Sequence, residues 1–175
     1  LHPLLYRKYA CKSNDRLPKI TVLRLYGPKF CLAPLVIFCD NGDTQNTEKG
    51  NVNFMIDVVA LGELLIDFAS LSTDPSGYPT MAAHPGGAPG NFLAALNAFG
   101  AKTGFLGKVG DDAFGHLLLG TLTEAGIETK GIVVDPTVFT TLAFVTFDET
   151  GDRSFSFARK PGADTQLTWD EVDKT

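Results

Sequence analysis

The sequence predicts an α/β fold, a parallel β-sheet flanked by helices, from Met55 onward. Three observations support this prediction: strand and helix patterns alternate, the first strand pattern is apolar almost throughout, and a glycine-rich segment precedes the first helix. Alternating strands and helices form βαβ units, in which helices cover both faces of a parallel sheet.

The first predicted strand is the segment "MIDVVALGELLID", which ends at Asp67. A continuous apolar run is typical of a strand that is buried on both faces of a parallel sheet. Because the carboxyl ends of such strands face the ligand crevice, Asp67 is a candidate ligand-binding residue. The alternative is an Asp in a solvated loop.

The segment "HPGGAPGN", from His84 to Asn91, follows a predicted turn, "TDPSGYP", and precedes a helix that we expect to end at Gly100. A helix N-terminus exposes unpaired N–H groups, and glycines let hydroxyls or oxyanions approach them without a Cβ in the way. Asn91 is expected to cap the helix or to bind a hydroxyl. The segment matches neither the P-loop nor G-x-G-x-x-G, so nucleotide phosphate is not its obvious ligand.

Three further elements complete the predicted α/β pattern. "KTGFLGKVG" predicts a second strand, and "DDAFGHLLLGTLTEAGIE" predicts a helix opened by the acidic pair Asp111 and Asp112. Carboxylates suit the positive end of a helix. "GIVVD" then predicts a third strand, so the chain has the order strand, helix, strand, helix, strand.

The segment from Thr140 to Arg159 predicts a β-hairpin, with strands "TTLAFVTF" and "RSFSFAR" on either side of "DETGD". Alternation along the second strand places four side chains on one face: Arg153, Phe155, Phe157 and Arg159. Two interpretations remain open for this aromatic and basic face. It is either an ordinary sheet edge or a lid that closes over a polar ligand.

Residues 1–54 differ in kind from the rest of the chain. They carry a net charge of +4, against −9 for residues 55–175, and they contain all three cysteines. They show no sustained helical or strand period, so we expect a non-homologous, disordered or misannotated leader, with Met55 as the natural start. A secretory signal is the alternative for "FCLAPLVIFC", which is too short to span a bilayer and has no small-residue cleavage site after it.

Composition limits the class of protein. With 175 residues, 44% of them hydrophobic and 20% charged, the chain has ordinary globular composition and room for one domain with a core. A net charge of −5 does not suggest a nucleic-acid partner, and no segment suggests a membrane partner. The acidic part has no cysteine, which excludes disulfides and thiolate metal sites there and suits the cytoplasm.

The segments "VVALGELLIDF", "PGGAPGN", "GKVGDDAFG" and "TLAFVTFDETGDRSFSFARKPGAD", in this order, resemble the amino-terminal half of the ribokinase-like (PfkB) sugar kinases, fructokinases in particular. The resemblance covers residues 57–173. It implies a ribokinase-like parallel sheet with flanking helices and a small β-lid, residues 140–159, in a truncated domain. It also implies ATP-dependent phosphorylation of a hydroxyl of fructose or a similar sugar, and a possible homodimer through the β-lid.

The resemblance implies a role for each of seven residues in binding the sugar. Asp67 and Asn91 would bind hydroxyls, and Gly86 and Gly87 would bring the backbone close to the ring. The remaining three belong to the hairpin, where two would cover the apolar face of the sugar and one would reach inward from the second strand: Ala143, Val145 and Arg159.

The same resemblance implies parts that this sequence does not contain. The family's catalytic Asp lies in a Gly-Ala-Gly-Asp anion hole, and its nucleotide pocket belongs to the second half of the domain. We therefore assign no catalytic residue and no metal ligand here, and we expect ATP and Mg²⁺ to be bound only by the complete enzyme. "KPGAD" imitates the motif, but its Asp164 receives no catalytic role. "TWDE", from Thr168 to Glu171, has capping-box spacing and predicts a new helix just before the chain stops, which favours truncation.

Two alternatives to a sugar kinase fragment remain. One is a PfkB-like module that binds a sugar or a protein without catalysis. The other is a dinucleotide-binding module, which requires G-x-G-x-x-G after the first strand. The sequence there is "FASLSTDPSG", which argues against the second alternative.

Overall fold

The computed structural model describes residues 56–147 and 152–172, together with the backbone of three short strands before them. The strands, in chain order, are β1 (Tyr9–Ala10), β2 (Lys19–Arg24), β3 (Leu35–Asp40), β4 (Val58–Leu61), β5 (Leu65–Thr73), β6 (Pro79–Gly86), β7 (Thr103–Gly110), β8 (Ile132–Asp135), β9 (Leu142–Phe147) and β10 (Arg153–Ala158). The helices are α1 (Ala88–Ala98), α2 (Ala113–Glu124) and a short 3₁₀ turn (Ala163–Thr165).

The first sheet confirms the predicted α/β architecture. Its strand order is β1-β2-β3-β4-β7-β8, in which β4, β7 and β8 run parallel and α2 connects β7 to β8. Strands β1 to β3 extend the sheet in antiparallel fashion from β4. These three strands were not expected, because residues 1–54 show no strand period. That these residues form a separate leader stays a prediction.

The second sheet contains the predicted hairpin and two strands that were not predicted. Its order is β10-β9-β5-β6, with β9 and β10 antiparallel and β5 parallel to β9. The turn between β5 and β6 confirms the predicted "TDPSGYP" turn, since Asp74 Oδ1 accepts from the N–H groups of Ser76 and Tyr78 at 2.9 Å. The loop of the hairpin, residues 148–151, lies outside the described residues. We call this four-stranded sheet the lid sheet.

The predicted first strand is wrong in one respect, because the apolar run is two strands in two sheets. The chain leaves the first sheet after Leu61 and enters the lid sheet at Leu65. Gly62 marks the break, where a Cβ would lie 2.7 Å from Cγ of Pro89 at the start of α1. Both strands bury apolar side chains, so apolar character alone does not reveal where one ends. Asp67 therefore lies within β5 and not at the end of a central strand.

Helix α1 begins earlier than predicted. Its N-cap is Gly87, and Asn91 lies inside the first turn, where its N–H donates to the Gly87 carbonyl at 3.2 Å. The interpretation of Asn91 as the N-cap is therefore wrong. The predicted end is confirmed, because Gly100 follows the helix with a φ of +91°, a conformation that glycine adopts readily.

The hydrophobic core lies between the two helices and the two sheets. Its largest fully buried side chains include Phe105 of β7, Leu93 of α1, Leu118 of α2 and Ile66 of β5. Phe68 of β5 extends this core, stacking on Phe144 with ring centroids 5.4 Å apart. Its edge-to-face contact with Phe114 of α2 has a centroid distance of 5.5 Å. The lid sheet is thus anchored to α2 by aromatic packing.

The last described segment is tied to the first sheet by a buried lysine. Lys108 of β7 forms ion pairs with Asp135 at 2.9 Å and with Glu171 at 2.7 Å. The Glu171 carboxylate also accepts from the backbone N–H of Thr168 at 2.8 Å, the contact that a capping box predicts. Residues beyond 172 lie outside the described residues.

Candidate functional site

Asp67 occupies the middle of the lid sheet. It is paired with His84 of β6 on one side and with Ala143 of β9 on the other, and its side chain is partly buried. The alternative of a solvated loop residue is therefore wrong. Burial raises the pKa of the Asp67 carboxyl, and the nearby His84 opposes that rise.

Gly86 leaves room for the Asp67 carboxylate. A Cβ on Gly86 would lie 2.2 Å from Oδ2 of Asp67, a distance at which atoms cannot coexist. The glycine therefore allows the carboxylate to lie directly against the backbone that leads into α1. That this glycine brings the backbone close to a sugar ring stays a prediction, and the group that lies against it in the structure is the Asp67 carboxylate.

Gly87 adopts a backbone conformation that favours glycine. Its φ is +112°, and a Cβ there would lie 2.5 Å from the carbonyl oxygen of Glu63. The loop after β4 and the start of α1 are thereby packed backbone against backbone. Asn91 lies one helical turn further on, and it is exposed. That Gly87 and Asn91 bind a ligand together with Asp67 and Gly86 stays a prediction.

Arg159 lies just after β10 and contacts two carboxylates. Its Nη2 is 2.5 Å from Oδ2 of Asp164 and 3.4 Å from Oε2 of Glu63, and its Nε donates to Oδ1 of Asp164 at 3.3 Å. The Asp164 side chain is fully buried and also accepts from the hydroxyl of Thr141. In this structure Asp164 therefore holds Arg159 and Thr141 together.

Glu63 is the site residue that the sequence reasoning missed. It follows β4, so it lies at the carboxyl end of a parallel strand, the place first assigned to Asp67. Burial raises the pKa of its carboxyl, the Arg159 guanidinium opposes this rise, and the charges of Asp164 and Asp67 add to it. The sequence feature that could have identified Glu63 is Gly62, which ends the apolar strand immediately before this carboxylate.

The hairpin supplies an apolar surface beside the carboxylates. Ala143 and Val145 are buried and alternate along β9, so they lie on the same face as Asp67 and Ala69 of β5. On β10, the rings of Phe155 and Phe157 stack with centroids 6.3 Å apart, which agrees with the predicted shared face. Strand β10 is the edge of the lid sheet, and its role as a lid stays a prediction.

One cavity among the described residues includes Arg159, and none of the other six predicted residues, in its lining. It has a volume of about 770 Å³, and apolar groups dominate its lining, among them Phe114, Phe139, Leu142 and Phe157. A polyhydroxy ligand needs hydrogen-bonding groups, which this cavity offers sparsely. Asp67, Gly86 and the other predicted residues except Arg159 lie outside the lining of this cavity.

The described residues contain no group of three or more His, Cys, Asp or Glu side chains that could hold a metal ion. No helix among them is long and apolar enough to cross a membrane.

The two sheets, the flanking helices and the carboxylate site on the lid sheet define a ribokinase-like α/β protein. A family model of "pfkB family carbohydrate kinase" matches residues 55–175. The chain belongs to this family.

Known proteins agree with this assignment. The chain is 44% identical over 118 residues to a fructokinase of Solanum tuberosum, a match that covers 66% of this chain and 37% of the relative. A crystal structure of fructokinase from Xylella fastidiosa matches with a TM-score of 0.62 and 37% identity, over 66% of this chain and 36% of that one. The chain therefore spans little more than a third of the length of these relatives.

A third match concerns the nucleotide. A crystal structure of a putative ribokinase II from E. coli, in complex with ATP and Mg²⁺, is similar with a TM-score of 0.57 and 33% identity. It covers 65% of this chain and 37% of that one. ATP and Mg²⁺ are therefore ligands of related kinases.

Proposed function

We propose that this chain is the sugar-binding part of an ATP-dependent kinase that phosphorylates a hydroxyl of fructose or a similar sugar. The observation that carries the proposal is the Asp67 carboxylate lying against Gly86 at the start of α1. A carboxylate with two oxygens accepts hydrogen bonds from adjacent hydroxyls, and a glycine backbone allows the sugar ring to approach it. The names of the relatives point to the same substrate.

Each predicted residue has a task that suits its chemistry. Asp67 accepts hydrogen bonds from sugar hydroxyls, and the exposed amide of Asn91 donates to or accepts from another. Ala143 and Val145 cover the apolar face of the ring, and Arg159 fixes the carboxylates around it. Catalysis then depends on orientation of the accepting hydroxyl by this chain.

ATP would supply the transferred phosphoryl group and Mg²⁺ would neutralise its charge. By the resemblance to the PfkB kinases, the nucleotide pocket belongs to the second half of the family's domain, so we propose that ATP and Mg²⁺ are held outside the site described above. Isothermal calorimetry with ATP and Mg²⁺ is expected to detect no binding to the chain by itself.

The test is calorimetry with fructose on the full chain and two variants. Asp67→Ala is expected to weaken binding by about 1.5–3 kcal/mol, the range for a hydrogen bond to a charged group. The control is Asp57→Asn, an exposed carboxylate that accepts from the Lys102 N–H before β7, and it should bind as the unaltered chain does. Unchanged affinity in Asp67→Ala would remove Asp67 from the site.

A coupled assay of ADP release with fructose and MgATP tests the enzymatic part. We expect no turnover from this chain, because the sequence lacks the Gly-Ala-Gly-Asp motif that the resemblance implies. Turnover that survives removal of contaminating kinases would make Asp164 a candidate base. Fructose binding by a whole protein that shows no turnover would favour the non-catalytic module instead.

Two further parts of the proposal concern the whole protein. We propose a homodimer through the β-lid, residues 140–159, whose edge strand β10 is exposed along its length. We propose a cytoplasmic location, because residues 55–175 contain no cysteine.

A further inference from the structure

We infer that Glu63 is a positioning and specificity-determining residue: by pairing with Arg159 it reserves the site for uncharged polyhydroxy ligands and excludes ligands that carry a carboxylate or a phosphate. The inference rests on the proposed function, because it concerns the same site. Beyond the proposed function, the inference names the class of ligand that the site rejects and the residue that causes this rejection.

The fold holds Glu63 in place from both sides. The residue lies between β4 and β5, where the chain passes from the first sheet to the lid sheet. Its carbonyl oxygen lies against Gly87, in contact so close that no Cβ fits there. Its side chain is only 14% exposed and lies 3.4 Å from the Arg159 guanidinium. Such a carboxylate has little freedom to leave its partner.

Arg159 is the positive group of the site, and its charge is already paired twice. The Asp164 carboxylate contacts Nε and Nη2 of Arg159, and the Glu63 carboxylate contacts Nη2. An arginine binds a ligand carboxylate or phosphate best through two parallel N–H donors. Two of the N–H positions needed for that geometry are occupied by protein carboxylates, so the guanidinium is a poor receptor for an anion.

The charge around Arg159 is negative. Glu63, Asp67 and Asp164 carry three negative formal charges against the single positive charge of the guanidinium. A hydroxyl can donate to these carboxylates, whereas an anionic group would be repelled by them, and like charges brought together in an interface are costly. Removing the Glu63 charge both lowers this repulsion and releases one side of Arg159.

The test compares fructose with gluconate, a six-carbon polyol that carries a carboxylate. We expect Glu63→Gln to lower the ratio of the gluconate to the fructose dissociation constant by about tenfold, the effect of about 1.4 kcal/mol. Glu63→Asp, which keeps the charge, should retain the preference for fructose. Glu128→Gln is the matched control, since Glu128 precedes β8 and pairs with the exposed Lys130. It should leave the ratio unchanged.

The ratio separates this role from a structural one, because a loss of fold weakens both ligands together. Unchanged discrimination in Glu63→Gln, with fructose still bound, would overturn the inference and leave the proposed function standing. Failure of the unaltered chain to bind fructose would overturn both. Should Glu63→Gln not fold, Glu63→Ala replaces it, and unchanged discrimination in that variant would equally overturn the inference.

Discussion

The Asp112 carboxylate joins the start of α2 to Thr140, the residue that leads into the lid sheet. Its Oδ2 accepts from the Thr140 N–H at 2.8 Å, and its Oδ1 accepts from the N–H groups of Phe114 and Gly115 at 3.0 and 2.8 Å. The Thr140 hydroxyl in turn accepts from the Gly110 N–H at 3.0 Å. One side chain thus caps the helix and positions β9.

Asp112→Ala is expected to lower the free energy of unfolding by about 2–4 kcal/mol, because it removes an N-cap and leaves the Thr140 N–H without its acceptor. Urea denaturation measures the change. The control is Asp111→Ala, because the Asp111 side chain is exposed and its carboxylate pairs with the exposed His116 at 2.9 Å. Asp111→Ala is expected to lower the free energy of unfolding by less than about 1 kcal/mol. Equal losses in the two variants would contradict a structural role specific to Asp112.

Gly86→Ala is expected to weaken fructose binding about ten- to hundredfold while leaving the thermal midpoint nearly unchanged. The new Cβ would lie 2.2 Å from Oδ2 of Asp67 and 3.0 Å from Cδ1 of Leu65, so these side chains shift while the backbone stays. The control is Gly120→Ala on α2, where no atom lies within 4 Å of the new Cβ. This control is expected to raise stability by about 0.5–1 kcal/mol. Normal fructose affinity in Gly86→Ala would contradict the placement of the ligand beside Asp67.

Lys108→Met is expected to lower the thermal midpoint at pH 7 by several degrees. Lys108 is only 4% exposed, and its removal leaves Asp135 and Glu171 facing each other without a cation. Lys130→Met is the matched control, because Lys130 is 85% exposed and its pair with Glu128 spans 3.5 Å. Surface pairs of that kind contribute little. If the thermal midpoint of Lys108→Met were as high as that of Lys130→Met, the buried ion pairs would add no stability.

The same ion pairs predict a dependence on pH. Hydrogen bonding to Lys108 lowers the pKa of Asp135 and of Glu171 below their ordinary values. A carboxyl whose pKa is lower in the folded state contributes stability above its unfolded pKa, and this contribution is lost as the pH falls through the folded pKa. Melting curves from pH 7 down to pH 2 are therefore expected to fall more steeply for the unaltered chain than for Lys108→Met. Parallel curves would contradict this linkage.

Residues 1–54 are expected to be separable from the remainder. Limited proteolysis should cut before Met55 and leave the following domain intact, because residues 1–54 differ in charge and lack periodicity. In the structure, however, β3 pairs with β4 over four residues, and a stable pairing there would protect β3 from the protease. Protection of Leu35–Asp40, with Cys31 and Cys39 unreactive toward a thiol reagent in the folded chain, would contradict a separate leader.

Local patterns predicted several elements correctly. Strands β7 and β8, helix α2 and the hairpin lie where the sequence placed them, because their apolar spacing and their turn or capping residues lie within each segment. Asp112, for example, caps α2 through N–H groups two and three residues away. Predictions failed where the deciding contact came from elsewhere in the chain. The interpretation of Asn91 as a cap failed because the sequence does not reveal that Gly87, packed on Glu63, begins the helix.

The sequence by itself determined the α/β class and the family resemblance, since these depend on residue types and their order, whereas the roles of the seven proposed sugar-binding residues stay a prediction. Only the tertiary structure decided that "VVALGELLID" divides between two sheets, because burial in either sheet requires the same apolar side chains. The tertiary structure also decided which carboxylates contact the same arginine. Glu63 and Asp164 are 101 positions apart, and both reach Arg159 only because the two sheets and the hairpin converge there.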